Sequence, residues 1–254
     1  MRALLDCIAR YATAHAGTPP AAMKREIARS LARQRSSEEL AALACDLLRS
    51  EDPGAQEVGA LLLPAALPHA RSELLALLRD AAESPHWEVR EWAGSALGAA
   101  LGLPGDDLHP VAESWAASDS ERLRRAAVIA LMEYGKECPL PELDWVLDVL
   151  GGMLADTSQY VQANLGPFAI GSALAARNPE TVTEHLRSWV RKEGELGRMQ
   201  IALVFTAAAG AKLAPAAQDV LDILARDPSP RVQAALQKAR RSIARLTAAQ
   251  SPAP

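Results

Sequence analysis

The amino-acid sequence predicts an all-α protein, built as an α-solenoid of about six or seven antiparallel helix pairs. Hydrophobic residues make up 49% of the chain but aromatic residues only 4%, so alanine and leucine must supply most of the packing, as they do between close-packed helices. No segment shows the apolar and polar alternation that is typical of a strand. A short phrase also recurs every 31 to 38 residues, which is the period of stacked helix pairs.

The recurring phrase begins with a turn residue, usually Asp or Ser, and ends with Val or Leu followed by Arg or Gln. It reads SPHWEVR from residue 84, SDSERLR from 118, DTSQYVQ from 156 and DPSPRVQ from 227. We call its apolar residue the landmark of the repeat; the landmarks are Val89, Leu123, Val161 and Val232. A looser copy, EDPGAQEV, places a further landmark at Val58. Because the turn residue caps a helix start, each landmark is expected in the first turn of a helix, packed against the neighbouring repeat.

Helix starts and breaks can be placed in order along the chain. Ser36 and Glu39 form a predicted capping box before the run AALACDLLRS. Proline and glycine break the helical pattern at Pro19-Pro20, Pro53-Gly54, Pro104-Gly105, Pro139 with Pro141, Asn178-Pro179 and Pro228 with Pro230. We expect residues 1–250 to form a single repeat domain and residues 251–254 to form a frayed tail.

The cysteine pattern and the hydropathy indicate the environment of the protein. The three cysteines, Cys7, Cys45 and Cys138, are odd in number and far apart, which fits neither a disulfide framework nor a CxxC metal site. No apolar run approaches the roughly 20 residues of a membrane span, and charges come too early in MRALLDCIAR for a secretory signal. We therefore expect a soluble, cytoplasmic monomer that holds no metal and no cofactor.

The charge is unevenly distributed. The whole chain has a formal net charge of −4, yet residues 228–254 carry +5 with no acid, which leaves −9 on residues 1–227. The simpler interpretation of this basic end is a solvated terminal helix. The alternative is a helix that contacts phosphate groups.

The repeat frame brings candidate functional residues into one row. The residues two positions after the landmarks are Ala60, Glu91, Arg125 and Ala163. Equivalent residues of successive repeats lie about 8 to 10 Å apart on one face, so Glu91 and Arg125 are expected to be neighbours. Trp87 precedes Glu91 by four residues and shares its helix face. The three side chains are therefore predicted to converge on one shallow groove, although the Glu–Arg pair could instead only tie two repeats together.

Three stretches carry a resemblance to a known family: HWEVREWAGSAL at 86–97, WAASDSERLRRAAVIAL at 115–131 and YVQANLGPFAIGSALAARNPETV at 160–182. They resemble the DNA alkylation repair glycosylases of the AlkD and AlkC type, which are built from HEAT-like repeats. The resemblance implies that Trp87 takes the place of a sugar-facing tryptophan, Glu91 that of a catalytic aspartate and Arg125 that of an arginine at the catalytic site. Pro167 and Phe168 stand where AlkD has a second groove tryptophan.

The implied function is the excision of N3- or N7-alkylated purines from double-stranded DNA. Further candidate DNA contacts, each with a purely structural alternative, are Arg90, Arg122, Arg124, Phe168, Arg177, Arg187, Arg191 and Lys192. Two other functions stay open at this point. One is a catalytically inactive solenoid that binds distorted DNA, and the other is a protein-binding HEAT scaffold, which the acidic balance of the chain favours.

Overall fold

The computed structural model describes residues 2–12, 17–105 and 107–250, so the predicted tail at 251–254 lies outside the described residues. Within these ranges the secondary structure is helical and contains no strand, which confirms the all-α prediction. The chain divides into two compact units, Met1–Trp115 and Ala116–Pro254, and each is described by itself. The expectation of a single domain over residues 1–250 stays a prediction.

Helices account for nearly all of both units. The first unit contains α1 (Arg2–Arg10), α2 (Ala21–Gln34), α3 (Ser37–Leu48), α4 (Pro53–Leu61), α5 (Leu63–Ala82) and α6 (Trp87–Leu101), and α7 (His109–Ala116) follows at its end. The second contains α8 (Glu121–Gly135), α9 (Leu140–Gly152), α10 (Gln159–Asn164), a π-helical segment (Leu165–Leu174), α11 (Ala175–Arg177), α12 (Pro179–Lys192), α13 (Glu195–Val204), α14 (Ala208–Ala211), α15 (Gln218–Ala225) and α16 (Pro230–Gln250).

Several helices begin at the capping residues and prolines that the sequence indicated as helix starts. The Ser36 side chain accepts a hydrogen bond from the backbone N–H of Glu39, and the Glu39 carboxylate accepts one from the N–H of Ser36, which is the predicted capping box. Asn178 caps α12 by accepting a hydrogen bond from the N–H of Thr181 at 3.0 Å. These side chains satisfy backbone donors that a helix leaves without partners at its start.

Each unit is built in two layers of helices, the arrangement of HEAT-like helical repeats. In the first unit α2, α4 and α6 pack in succession, while α3 packs on α5. In the second unit α8, α10 with the π-helical segment, α13 and α16 pack in succession, while α9, α12 and α15 form the other layer. The α-solenoid fold class predicted from the sequence is thereby confirmed.

The recurring phrase folds into the same turn in five repeats. The Ser or Asp at the start of the turn accepts a hydrogen bond from the N–H two residues later; these residues are Ser50, Ser84, Ser118, Asp156 and Asp227. A side chain six residues after it returns a hydrogen bond to its carbonyl oxygen; these residues are Gln56, Arg90, Arg124, Gln162 and Gln233. The residue immediately before this side chain is buried in every case. Burial explains why the phrase has Val or Leu at this position.

This turn corrects the register of the first repeat. Gln56 makes the hydrogen bond that Arg90 and Gln162 make in later repeats, so the residue before it, Ala55, is the landmark, and Val58 is not. Ala60 is fully buried and therefore does not belong to the exposed row in which the sequence pattern placed it. The residue two positions after Ala55 is Glu57. The prediction failed here because the landmark of this repeat is a small alanine, while a valine stands three residues later.

The π-helical segment was not foreseen from the sequence. Gly166 and Gly171 lie five residues apart on it, which is the hydrogen-bonding interval of a π-helix. A Cβ atom at Gly166 would lie 2.5 Å from the carbonyl oxygen of Gln200, and one at Gly171 would lie 2.4 Å from that of Val204. The two glycines therefore allow the segment to approach the α13 backbone more closely than any other residue would permit.

No single helix in the described ranges is both long enough and apolar enough to cross a membrane. The helices α4 and α5 meet this criterion only when they are taken together across their 99° bend.

Candidate functional site

Trp87 and Glu91 line the same cavity in the first unit. The cavity has a volume of about 520 Å³ and lies between α2 and α6. Its lining residues are Pro19, Pro20, Ala21, Lys24, Arg25, Trp87, Glu88, Glu91, Trp92 and Ser95. Trp87 is 46% exposed and Glu91 is half-buried, so the indole lies at the surface and the carboxylate is partly screened from water. The prediction that the two side chains share one helix face is confirmed, while their catalytic role stays a prediction.

A buried ionic cluster supplies two of the residues that line this cavity, Lys24 and Glu88. The Nζ atom of Lys24 lies 2.6 Å from an Oε atom of Glu57 and 3.1 Å from one of Glu88. The hydroxyl of Thr18 donates a further hydrogen bond to the Glu88 carboxylate at 2.6 Å. Lys24 is 2% exposed and Glu57 is 0% exposed, so one cation and two carboxylates are held almost without solvent. Buried charges of this kind are stable only when they are paired.

Burial controls the protonation of Glu57. The pKa of its carboxyl is raised to about 7, chiefly by loss of hydration; the hydrogen bond and the charge of Lys24 lower the pKa, and the nearby Glu88 carboxylate raises it. The Oε1 atom of Glu57 has no hydrogen-bond partner in the described part of the chain. A pKa of about 7 places the change in protonation of Glu57 near neutral pH.

Two cations of the cavity wall lie against the ring of Trp92. The Lys24 Nζ atom lies 5.2 Å from the centre of the Trp92 ring, and the Arg25 guanidinium lies 5.0 Å from it. Both distances are within the range of cation–π attraction. The sequence pattern did not indicate that Lys24, Arg25 and Glu57 belong to this site. A signal for Lys24 was present, because it lies four residues before the buried Ala28 and therefore on the packed face of α2.

Arg125 lies in the second unit, on α8. Its guanidinium donates a hydrogen bond to the carbonyl oxygen of Tyr160 at 3.0 Å and lies 4.3 Å from the centre of the Tyr160 ring. These contacts hold Arg125 against the first turn of α10 and leave it half-buried. Its predicted convergence with Glu91 and Trp87 stays a prediction.

Two of the predicted DNA contacts take part in the repeat turn itself. Arg90 donates hydrogen bonds to the carbonyl oxygens of Ser84 and Pro85 at 2.7 and 3.0 Å. Arg124 donates to the turn that precedes its own helix and also forms an ion pair with Asp156 at 2.6 Å, in the turn of the next repeat. Both guanidinium groups thus stabilise the repeat turns, and their contact with DNA stays a prediction.

The other predicted contacts are mostly exposed. Arg187 and Arg191 both lie beside Asp219, at 3.2 and 3.8 Å, so one carboxylate partly compensates two cations. Phe168 is 57% exposed on the π-helical segment. The remaining three, Arg122, Arg177 and Lys192, are exposed.

The chain matches a family model and is similar to solved structures of other proteins. The family model described as "DNA alkylation repair enzyme" matches residues 17–175, which include α2, the cavity and α8. The structure of AlkD2 from Streptococcus mutans is similar to the chain with a TM-score of 0.65 and 17% sequence identity, covering 80% of this chain and 96% of AlkD2. The smu.31 protein from Streptococcus mutans UA159 gives a TM-score of 0.59 and 19% identity, covering 72% of this chain and 90% of smu.31. No curated protein matches the sequence.

Proposed function

The chain belongs to the DNA alkylation repair enzyme family, and from that premise we propose that it is a DNA glycosylase that excises N3- or N7-alkylated purines. The observation that carries the proposal is the placement of Trp87 and Glu91 in one cavity. The substrate is double-stranded DNA, on which the protein acts as a cytoplasmic monomer.

The chemistry requires little acid catalysis at the base. A purine alkylated at N3 or N7 already carries a positive charge, so it departs readily and leaves an oxocarbenium-like sugar. A carboxylate close to that sugar stabilises the developing charge and can orient the attacking water. Glu91 supplies this carboxylate, and the face of the Trp87 indole adds a second electron-rich surface for the cation.

Glu91 fits this role better than the neighbouring Glu88. Glu88 accepts hydrogen bonds from Thr18 and Lys24, so its negative charge is compensated within the buried cluster. Glu91 lies one helical turn from Trp87 in the wall of the cavity. Arg125 would act on the DNA backbone, since a guanidinium can hold a phosphate through two parallel hydrogen bonds.

A DNA-binding protein without excision activity is the second candidate. The observation that favours it is the exposed Phe168, which stands where the resemblance to AlkD places a tryptophan. A phenyl ring offers a smaller and weaker surface to a cationic sugar than an indole does. Such a protein would bind alkylated or distorted duplexes and leave the glycosidic bond intact.

The experiment measures the release of 3-methyladenine and 7-methylguanine from methylated duplex DNA. We expect release by the wild-type protein, and a decrease of roughly 10²-fold in the excision rate of Glu91→Gln, with duplex affinity retained. Glu180→Gln is the matched control, because Glu180 is an exposed acid in the first turn of another helix, α12. Binding that weakens with salt but without any release would select the second candidate. Failure to bind duplex DNA at low salt would reject both.

A further inference from the structure

The last helix, α16, carries five basic side chains and no acid. They are Arg231, Lys238, Arg240, Arg241 and Arg245, and all are exposed. None of them forms an ion pair with a carboxylate in the described part of the chain. This differs from other arginines of the same unit, since Arg124, Arg187 and Arg198 are all paired with aspartates.

Three of these cations form a strip along the helix. Arg231, Lys238 and Arg245 are separated by seven residues each. Seven residues make two helical turns less about 20°, so the three side chains project in nearly the same direction, with about 10 Å between neighbours. The strip therefore presents three positive charges over a length of about 20 Å.

The strip borders a groove that contains no acid. The groove has a volume of about 490 Å³ and is lined by parts of α10, α13 and α16. Arg231 and Lys238 supply its charges, and Thr157, Gln159 and Gln162 add neutral polar groups. No carboxylate is found among the described residues that line it, so the groove suits an anionic ligand.

The groove occupies the same repeat position as the candidate site. On α6, Glu88, Glu91, Trp92 and Ser95 line the cavity, at one position before the landmark and two, three and six positions after it. On α16, Arg231, Ala234, Ala235 and Lys238 line the groove at the same four positions. The repeat thus forms an opening at this position on both helices, and only the side chains differ.

We propose that this groove and the strip of Arg231, Lys238 and Arg245 bind the phosphodiester backbone of duplex DNA. The inference rests on the proposed function, because it assumes that DNA is the partner. Charges spread over about 20 Å match a polyanion rather than a single phosphate ion. Each contact releases condensed counterions from the duplex and gives affinity without sequence preference. The strip anchors the DNA, whereas excision depends on the cavity beside α6.

The experiment compares two triple variants with equal changes in net charge. In the first, Arg231, Lys238 and Arg245 are each changed to Gln; in the control, the exposed Lys212, Arg226 and Arg240, which lie off the strip, are each changed to Gln. Affinity for an unmodified duplex is measured by fluorescence anisotropy over a series of salt concentrations. For the first variant we expect a loss of affinity on the order of 10²-fold at about 0.1 M salt. Its plot of log affinity against log salt should be shallower by roughly 2 to 3, while the control stays close to wild type.

Other outcomes separate this inference from the proposed function. Equal losses in both variants would overturn it, because net charge alone would then explain the effect. If the wild type binds duplex and releases methylated purines while the first variant keeps its affinity, only the anchor is wrong. If the wild type binds vesicles of anionic lipid but no duplex, the strip serves a membrane and both proposals fail. Circular dichroism melting of each variant verifies that the helix is retained.

Discussion

The cavity beside α6 and the groove beside α16 are lined from the same four positions relative to their landmarks. Their charged side chains differ in burial and in pairing. In the cluster beside the cavity, Lys24, Glu57 and Glu88 are buried, and Lys24 pairs with both carboxylates. Beside the groove, Arg231 and Lys238 are exposed and lack a carboxylate partner in the described residues. Neutral polar groups complete the groove, whereas two tryptophans complete the cavity.

The difference separates charges that stabilise the protein from charges available to a ligand. A buried charge must be compensated, so its removal is expected to change the free energy of unfolding. An exposed charge on a solvated helix contributes little to folding, so its removal is expected to change only the binding of an anionic partner. Changes to Lys24, Glu57 and Ala234 test this separation, with an expected effect on the free energy of unfolding that decreases in that order.

The largest effect is expected from Lys24→Met. This change removes the only cation that contacts both Glu57 and Glu88 in the described residues. Because Lys24 lowers the pKa of Glu57, the Glu57 carboxyl must then take up a proton, and the Glu88 carboxylate loses its ion pair with Lys24 in a site with almost no water. Loss of one partner from a buried ion pair typically costs about 3 to 5 kcal/mol. We expect a decrease of that size in the free energy of unfolding, measured by urea denaturation at pH 7.

Arg25→Met is the control, because Arg25 also contacts the Trp92 ring but is exposed. It should cost less than about 1 kcal/mol. If Lys24→Met does not fold, the double variant Lys24→Met/Glu57→Gln should recover folding, since a glutamine side chain there carries no charge and needs no proton. Equal effects of Lys24→Met and Arg25→Met would show that the cluster contributes no more than the exposed contact.

The pH dependence of stability should report on Glu57. Burial raises the pKa of its carboxyl from 4.5 to about 7, so between these values the folded protein retains a proton that the unfolded chain has lost. The contribution is therefore fully present below pH 4.5, and it disappears as the pH rises through about 7. We expect this loss to be on the order of 2 kcal/mol in the free energy of unfolding. Urea denaturation from pH 5 to pH 8 measures it.

The matched variant for this prediction is Glu57→Gln, which cannot ionise. Its free energy of unfolding should approach and then exceed that of the wild type as the pH increases. Glu180→Gln, which changes an exposed acid on α12, should retain the wild-type profile. A constant difference between wild type and Glu57→Gln over this pH range would mean that Glu57 is not protonated in the folded state.

The fold could be predicted because its signals are local. The capping box of Ser36 and Glu39, and the Asn178-Pro179 start of α12, depend on residues at most three positions apart. The repeat was visible because its turn residue and its landmark recur together. The register of the first repeat was missed because Ala55 carries no apolar signal that distinguishes it from Val58.

The candidate site could be predicted only in part. Trp87 and Glu91 are four residues apart on one helix, so periodicity alone brings them together. Lys24 meets Glu57 and Glu88 across 33 and 64 residues of chain, and no local pattern encodes such a contact. The basic character of α16 was evident from composition. The groove that the strip borders depends on how α10, α13 and α16 pack together, which composition does not reveal.

The smallest effect on stability, together with a clear effect on binding, is expected from Ala234→Glu. Ala234 is exposed and stands on α16 at the position that Glu91 has on α6. A carboxylate there would lie three residues after Arg231 and four residues before Lys238, so it would form favourable pairs along the helix. Such pairs contribute about 0.2 to 0.5 kcal/mol each, so the free energy of unfolding should stay constant or rise slightly.

The same carboxylate would neutralise one or two cations of the strip, so duplex affinity should fall about tenfold at 0.1 M salt. Ala234→Gln is the control, since it has nearly the same volume without the charge, and its affinity should match that of the wild type. An equal loss in both variants would assign the effect to bulk in the groove rather than to charge. Unchanged affinity in Ala234→Glu would show that phosphate groups do not enter this groove.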